Sequence, residues 1–331
     1  MLRTLAAQSD RFALATPFRI SRGVRTVADV VTVAISAGGM TGRGEGAPYP
    51  RYGESIEGAL AAIAEVCSAI EGGATREQLQ KIMPAGAARN AVDCALWDLE
   101  AKLAGRSVTD MLGRAPIAAT PTAMTVSLDT PEAMALAARV LATVPLIKIK
   151  VDRSDPEAQI RRVREVAPDP RVIVDPNESW TFAEVERLQP LLAELRIDLL
   201  EQPLPADEDA ALEGFTPLVP IAADESVHVA GDVSALASRY QVMNIKLDKT
   251  GGLTGALALA DAAEAAGLGV MIGSMISTSL SIAPALVIAA GASFADLDGP
   301  LWLSNDRPGG VRGVNGVLAP PDAGFWGTPQ P

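Results

Sequence analysis

The chain is short of cysteine, of histidine and of positive charge, and each shortage removes a class of function. Its 331 residues include two cysteines, Cys67 and Cys94, and one histidine, His228. Two thiols cannot staple a chain of this length, and neither stands in the spacing of a zinc site. A single histidine excludes any mechanism that needs two, and His228 reads as an ordinary loop or surface residue. Basic side chains number 28 against 40 acidic ones, a net charge of −12. A field of that sign repels phosphate backbones and anionic lipid, which argues against nucleic acid and membrane surface as partners. Long apolar runs are missing as well. The opening MLRTLAAQSDRF has no signal-peptide core, and the longest apolar tract, from Leu280 to Phe294, is interrupted by Ser281, Pro284 and Gly291. That tract falls short of the ~20 apolar residues of a membrane helix. These absences predict a cytoplasmic protein.

What is present is core-forming material: 48% of residues are hydrophobic, enough for about two domains, or one large one, at roughly 150 residues each. The β-branched run TVADVVTVAIS (26–36) followed by GGMTGRGEGAPYP suggests an antiparallel hairpin and a glycine–proline loop. Helices are expected over 54–71 and 86–105, the second carrying Val92, Ala95, Leu96, Leu99 and Leu103 at helical spacing and ending at Gly105. Residues 1–115 thus read as an α+β unit. Because GRGEGA is followed by proline rather than by a helix, it is a poor phosphate loop.

From there the rhythm changes. Eight short apolar strands are expected, starting at Ala123, Leu146, Arg171, Ile197, Pro220, Gln241, Gly269 and Ser293, each but the last followed by a helix candidate. Lys150, Asp175, Glu201, Asp224, Lys246 and Ser274 mark successive strand ends at steps of 25, 26, 23, 22 and 28 residues. Eight regular βα units without a glycine fingerprint for a dinucleotide favour a barrel over 116–300 rather than an open doubly wound sheet. Residues 301–331, rich in proline and glycine, are expected to pack back on the N-terminal unit.

Barrel active sites lie at the C-terminal ends of the strands, where Asp175, Glu201 and Asp224 would converge. Three carboxylates there repel one another unless a cation neutralises them. All-oxygen ligation suits Mg²⁺, with Mn²⁺ similar. In LIKIKV, Lys148 and Lys150 are two apart and share a face opposite Ile147 and Ile149, so both lysines are expected inside the barrel. Lys246 ends a strand four units on, across from Lys150. Burial, the metal and neighbouring charge are expected to depress both, leaving a free amine as base. Lys249, at the start of the TGG loop, competes with Lys246 for that role.

These residues carry a resemblance. KxK at Lys148 and Lys150, acids on three successive strands, and NIKLDKTGG from Asn244 resemble the enolase superfamily, muconate-lactonizing subgroup, over nearly the whole chain. The resemblance implies an N-terminal capping domain over a modified (β/α)7β barrel, with Mg²⁺ stabilising an enediolate formed by α-proton abstraction. Within the subgroup the chain is most similar to the L-Ala-D/L-Glu epimerases, through Asp296-Leu297-Asp298. In that family the DxD pair holds the α-ammonium group of a dipeptide. The same resemblance implies that Thr125 and Ser274 contact the substrate backbone or carboxylate. It also implies that a capping-loop arginine, Arg22 or Arg25 with Arg22 preferred, binds the glutamate side chain. Lys150 and Lys246 would alternate as base and acid, Lys148 and the metal would stabilise the enediolate oxygens, and murein peptide recycling is the implied context. The rival on the same scaffold is a lyase or cycloisomerase of the o-succinylbenzoate synthase or muconate cycloisomerase type, whose substrates lack an ammonium partner for Asp296 and Asp298. A non-catalytic binding protein on a barrel is a third reading. The preferred dipeptide and any homo-oligomeric state are not legible in the sequence.

Overall fold

The β-branched run forms the middle of a long strand, Gly23–Ala37, between antiparallel neighbours Thr4–Ile20 and Met40–Gly46. The computed structural model describes residues 2–21 and 23–329. Val31, Val33 and Ile35 alternate onto one face and bury themselves against helices Ile56–Glu71 and Ala87–Ala104. Ser55 caps the first helix by accepting from Gly58 N, and Gly105 ends the second at φ 62°, a left-handed conformation suited to glycine.

The expected glycine loop is in part a strand. Gly42, Gly44 and Gly46 alternate toward the helix, and a Cβ on each would lie only 2.2, 2.1 and 2.0 Å from the carbonyl oxygens of Ala95, Ala91 and Ala87. Glycine is therefore required so that strand and helix backbones can touch. The helix answers with alanine at every fourth position.

The second unit is a ring of eight parallel strands, Met124–Val126, Leu146–Lys150, Arg171–Asp175, Leu199–Glu201, Ile221–Ala223, Val242–Lys246, Gly269–Gly273 and Phe294–Asp296, neighbours in chain order. First and last meet where Ala123 N donates to Ala295 O at 2.8 Å and Leu297 N to Thr122 Oγ1 at 2.8 Å. Seven strands each send one side chain into a buried apolar layer, Leu146, Ile173, Leu199, Ala222, Val242, Met271 and Phe294, and Ala123, just before the first strand, completes it. This layer is the floor beneath the lysines. Ile147 and Ile149 face outward into the main core with the surrounding helices.

Helices follow the strands as expected except in two places. After the fourth strand there is a 3₁₀ turn, Asp209–Leu212, and after the fifth another turn and the four-residue helix Val233–Leu236. Pro203, Pro205, Pro217 and Pro220, with Gly214, deny the fourth connection a helix. Its loop is held instead by Asp209, which accepts from Tyr240 OH at 2.9 Å and from Arg239 at 2.8 Å.

The C-terminal stretch pairs Arg312–Val314 and Val317–Ala319 with Thr120–Pro121. It then reaches helix Ala87–Ala104, where Trp326 Nε1 donates to Cys94 O and Gly327 N to Asp98 Oδ1. Among the described residues no helix is long and apolar enough to cross a membrane.

Candidate active site

Strand alternation brings Lys148 and Lys150 into the barrel mouth, 1% and 7% exposed. In parallel register Lys150 stands beside Asp175. Lys246 stands beside Gly273, where a Cβ would come 3.1 Å from Lys246 Cε and 2.7 Å from Asn244 Oδ1. The missing side chain makes room for both.

The acids and lysines interleave. Lys148 Nζ lies 3.0 Å from Asp175, 2.7 Å from Glu201 and 2.7 Å from Asp296. Lys150 Nζ is 2.5 Å from Asp175, and Lys246 Nζ is 2.6 Å from Asp224. Lys249 is also buried, but donates to Asp224 Oδ1 and to the carbonyls of Asp224 and Asn244. Lys148, Lys150 and Lys246 line a cavity of about 510 Å³ between the barrel mouth and the capping domain, together with Thr125, Ser274, Asp224, Asp296 and Asp298.

Electrostatics follow the contacts. Burial pushes Asp175 up, but Lys148 and Lys150 outweigh it and hold the carboxyl at about 2. Asp224 is likewise held well below the usual carboxylate range, burial being overcome by Lys246 and Lys249. Glu201 goes the other way, to about 8, through burial and repulsion from Asp175 and Asp224. The expectation that burial depresses Lys246 is reversed: burial lowers it, but Asp224, Glu201 and Glu225 together raise it above the ordinary lysine value. Lys148 is raised for the same reason by Asp175, Asp296 and Glu201. Only Lys249 is lowered, by burial and the charge of Lys246. For Lys148 and Lys246, charge pairing therefore outweighs desolvation.

Among the described residues no three His, Cys, Asp or Glu side chains meet as a ready-made metal cage; ammonium groups stand between the acids. The donor set nevertheless fits a hard cation. Lys148, Lys150, Lys246 and Lys249 are outnumbered by buried Asp175, Glu201, Asp224, Glu225, Asp296 and Asp298. Glu201 Oε2 has no aligned hydrogen bond, only the close ammonium of Lys148. An oxygen-rich, under-neutralised centre of this kind is what Mg²⁺ binds.

Three polar supports escaped the sequence reading. Asn177 donates to Asp175 from its backbone at 2.8 Å and its amide at 3.2 Å, and Asn244 Nδ2 donates to Glu201 Oε1 at 2.9 Å. Gln202 accepts from Asp224 N at 2.8 Å and donates to Leu204 O, Ser226 and Tyr240. The signal was available for Asn244: it stands two residues before Lys246, on the same face of its strand.

Thr125 N donates to Asp298 Oδ2 at 3.0 Å, and Ser274 Oγ lies 3.5 Å from Asp296 O. Arg25 lines the cavity with its guanidinium 4.7 Å over the ring of Tyr49. Arg22 lies outside the described residues. His228 lies in a loop, as expected. It is half-buried and edge-on to Tyr52 at 4.6 Å, its pKa lowered by burial and by Lys249.

Residues 132–325 match the family described as enolase C-terminal domain-like, and residues 3–113 match the mandelate racemase / muconate lactonizing enzyme N-terminal domain. The chain is 47% identical over 319 residues to the L-Ala-D/L-Glu epimerase of Escherichia coli K12, covering 96% of this chain and 99% of that one. It is 41% identical over 302 residues to an N-acetyl-D-glutamate racemase of a Pseudoalteromonas species, covering 90% and 95%. Among solved structures, an Agrobacterium tumefaciens enolase family member with bound sodium and L-Ala-L-Glu, described as having homology to dipeptide epimerases, superposes with a TM-score of 0.95. It is 50% identical, with 98% of this chain and 100% of that one covered. With its capping sheet, its eight-stranded ring and its lysines and acids at the strand ends, the chain belongs to the enolase superfamily, in the mandelate racemase / muconate lactonizing enzyme group.

Proposed function

We propose that this chain is a Mg²⁺-dependent epimerase that inverts the α-carbon of the C-terminal residue of a dipeptide, interconverting L-Ala-L-Glu and L-Ala-D-Glu. One observation carries the reading. Lys150 and Lys246 enter a single cavity from strands four apart in a ring of eight, so they face a bound α-carbon from opposite sides.

The chemistry follows from that placement. An α-hydrogen beside a carboxylate is a weak acid, because its loss puts a second negative charge on the carboxylate as an enediolate. One lysine amine takes the proton from one face, and the opposite ammonium returns a proton to the other, inverting the centre. Lys246, held protonated by Asp224, stands as the donor of such a pair. Lys148 places a preorganised positive charge where the enediolate oxygens develop theirs. Asp175, Glu201 and Asp224 would hold the divalent ion, which when bound supplies further positive charge against those oxygens.

The remaining assignments belong to the same proposal. Thr125 and Ser274 contact the substrate's backbone or carboxylate, and Asp296 and Asp298 clamp its ammonium group. Arg22 takes the glutamate side chain, since Arg25 is already stacked on Tyr49. The chain divides into a capping domain (1–115), the barrel (116–300) and a C-terminal segment (301–331). Its place is cytoplasmic murein peptide recycling. A lyase would leave Asp296 and Asp298 without a ligand.

A second reading, racemisation of N-acetylglutamate, is favoured by the 41% identity to a racemase of that compound. Incubation with Mg²⁺ in D₂O tests both. L-Ala-L-Glu is expected to take deuterium at the glutamyl α-carbon and approach a mixture with L-Ala-D-Glu. Exchange into N-acetyl-L-glutamate alone would favour the second reading, and exchange into neither compound would defeat both.

A further inference from the structure

The strand that closes the barrel runs on to Asp298, and four residues later the chain reaches Trp302. The indole N–H of Trp302 donates to Asp298 Oδ2 at 3.1 Å, and the same oxygen accepts from Thr125 N at 3.0 Å. The Trp302 ring has a second partner. Phe18, on the capping hairpin, meets it edge to face with centroids 4.7 Å apart and planes at 79°. Phe18 and Asp298 both line the cavity, so Trp302 joins a wall contributed by the cap to a carboxylate contributed by the barrel.

The surroundings are built to hold that contact. Pairing along the first strand shifts register between Ala13 and Phe18, an irregularity that bends a strand. There the hairpin is fastened to the barrel by Ser304 N donating to Ala13 O at 2.8 Å and by a bridge between Leu14 and Leu303. Farther along, Leu128 N donates to Arg19 O at 3.2 Å. On the barrel side, Asp298 to Trp302 is a rigid turn. Pro300 opens it, Leu301 N donates to Asp298 O at 2.9 Å, and a Cβ on Gly299 would come 2.8 Å from Met275 O.

We infer that Trp302 is a positioning residue for recognition of the substrate's free amino group, orienting Asp298 and tying that orientation to the docked capping hairpin. This rests on the reading of Asp298 as part of the ammonium clamp. A carboxylate turns easily about its last torsion. Two N–H donors on one oxygen fix its plane, and so the direction in which the carboxylate faces the cavity. They also favour the ionised form, opposing the burial and the Asp296 charge that push Asp298 up to about 6. Phe18 supplies the link to the cap: it seats the indole whose N–H holds Asp298.

The test compares L-Ala-L-Glu with N-acetyl-L-glutamate, which has no amino group, in wild type, Trp302→Phe and Phe18→Leu, with Tm recorded for each. Trp302→Phe keeps an aromatic ring beside Phe18 while removing the N–H donor and part of the ring's volume, and Tm reports the packing loss. This variant is expected to raise KM for L-Ala-L-Glu about tenfold, the loss of one hydrogen bond to a charged acceptor. Its kcat should stay within about threefold, and the N-acetyl compound's KM, or its Ki against L-Ala-L-Glu where it is not turned over, should be unchanged. Phe18→Leu keeps the donor but loosens the ring, and is expected to shift the same ratio less. Should Trp302→Phe fail to fold, the Phe18→Leu ratio decides alone. A variant that changes both substrates equally, or neither, overturns the role of Trp302. A wild-type enzyme that treats the two substrates alike overturns the ammonium clamp itself, and the inference with it.

Discussion

Lys150 and Asp175 are register partners on adjacent strands, and their side chains meet at 2.5 Å. The carboxylate offered as a metal ligand thus also grips one of the two lysines proposed to move the proton. Asp224 repeats the arrangement across the barrel with Lys246 at 2.6 Å. On the proposed assignments, metal binding and lysine chemistry share these carboxylates, and the two should be separable only by variants that touch one side of each pair.

Chelation is expected to abolish activity, with recovery on adding Mg²⁺ or Mn²⁺. Glu201→Gln touches neither proton-transfer lysine directly and should weaken divalent-ion binding by at least about tenfold in calorimetry, because it removes a charged oxygen from the donor set. Full activity after exhaustive chelation would end the metal assignment.

Lys150→Ala should lose deuterium exchange from one enantiomer at the reacting carbon and Lys246→Ala from the other, each by about 10²- to 10⁴-fold, the usual worth of a positioned acid or base. Separate incubations of L-Ala-L-Glu and L-Ala-D-Glu in D₂O measure this. Lys249→Ala should lower stability, since Lys249 neutralises Asp224 and holds two carbonyls. A one-sided loss of exchange in Lys249→Ala would transfer the second base to that residue.

Asp248 makes a pH prediction at the joint between cap and barrel. It accepts from Ala47 N at 2.9 Å and Asn90 Nδ2 at 2.8 Å, yet burial, with Glu54 and Glu45 adding to it, pushes its carboxyl up to about 7. Because the folded value lies above the unfolded one, the protonated acid favours folding. That contribution is complete below about pH 4 and disappears as pH rises through 7. Asp248→Asn keeps both acceptor contacts through its carbonyl and cannot ionise. Urea unfolding at pH 5 and pH 8 should show wild type losing a few kcal/mol more than the variant over that interval. Equal losses would refute the buried-acid account.

Gly44→Ala should be costly for a residue so small. Its Cβ would fall 2.1 Å from Ala91 O, backbone against backbone, so the strand and helix Ala87–Ala104 must separate. A loss of about 1–3 kcal/mol or more is expected, read as a lower Tm or midpoint. Gly53→Ala is the control, since its φ of 75° strains alanine but no atom lies near its Cβ.

Much of this site is legible in one dimension because two periodicities are exact consequences of backbone geometry. Side chains two apart on a strand share a face, so KIK places both lysines inside once a barrel is inferred. One βα unit per 22–28 residues returns each strand end to the same rim, so Asp175, Glu201 and Asp224 reach one end of the barrel, with lysine ammonium groups between them. Proline in the fourth connection carried the information that no helix would form. The glycines of Met40–Gly46 were harder: alternate glycines look like a loop until a helix is known to lie against them.

The sequence by itself therefore determined the eight barrel strands, the shared inward face of Lys148 and Lys150, and the placing of Asp175, Glu201 and Asp224 at strand ends, since each depends on local periodicity and residue type. Tertiary structure alone decided which charges touch. Lys246 is raised rather than lowered because Asp224, from the neighbouring strand, lies 2.6 Å away, and Coulomb energy depends on that distance and not on sequence separation. It also decided that Phe18 and Trp302, far apart in the chain, share one contact behind Asp298, because only folding of the cap onto the barrel brings their rings together.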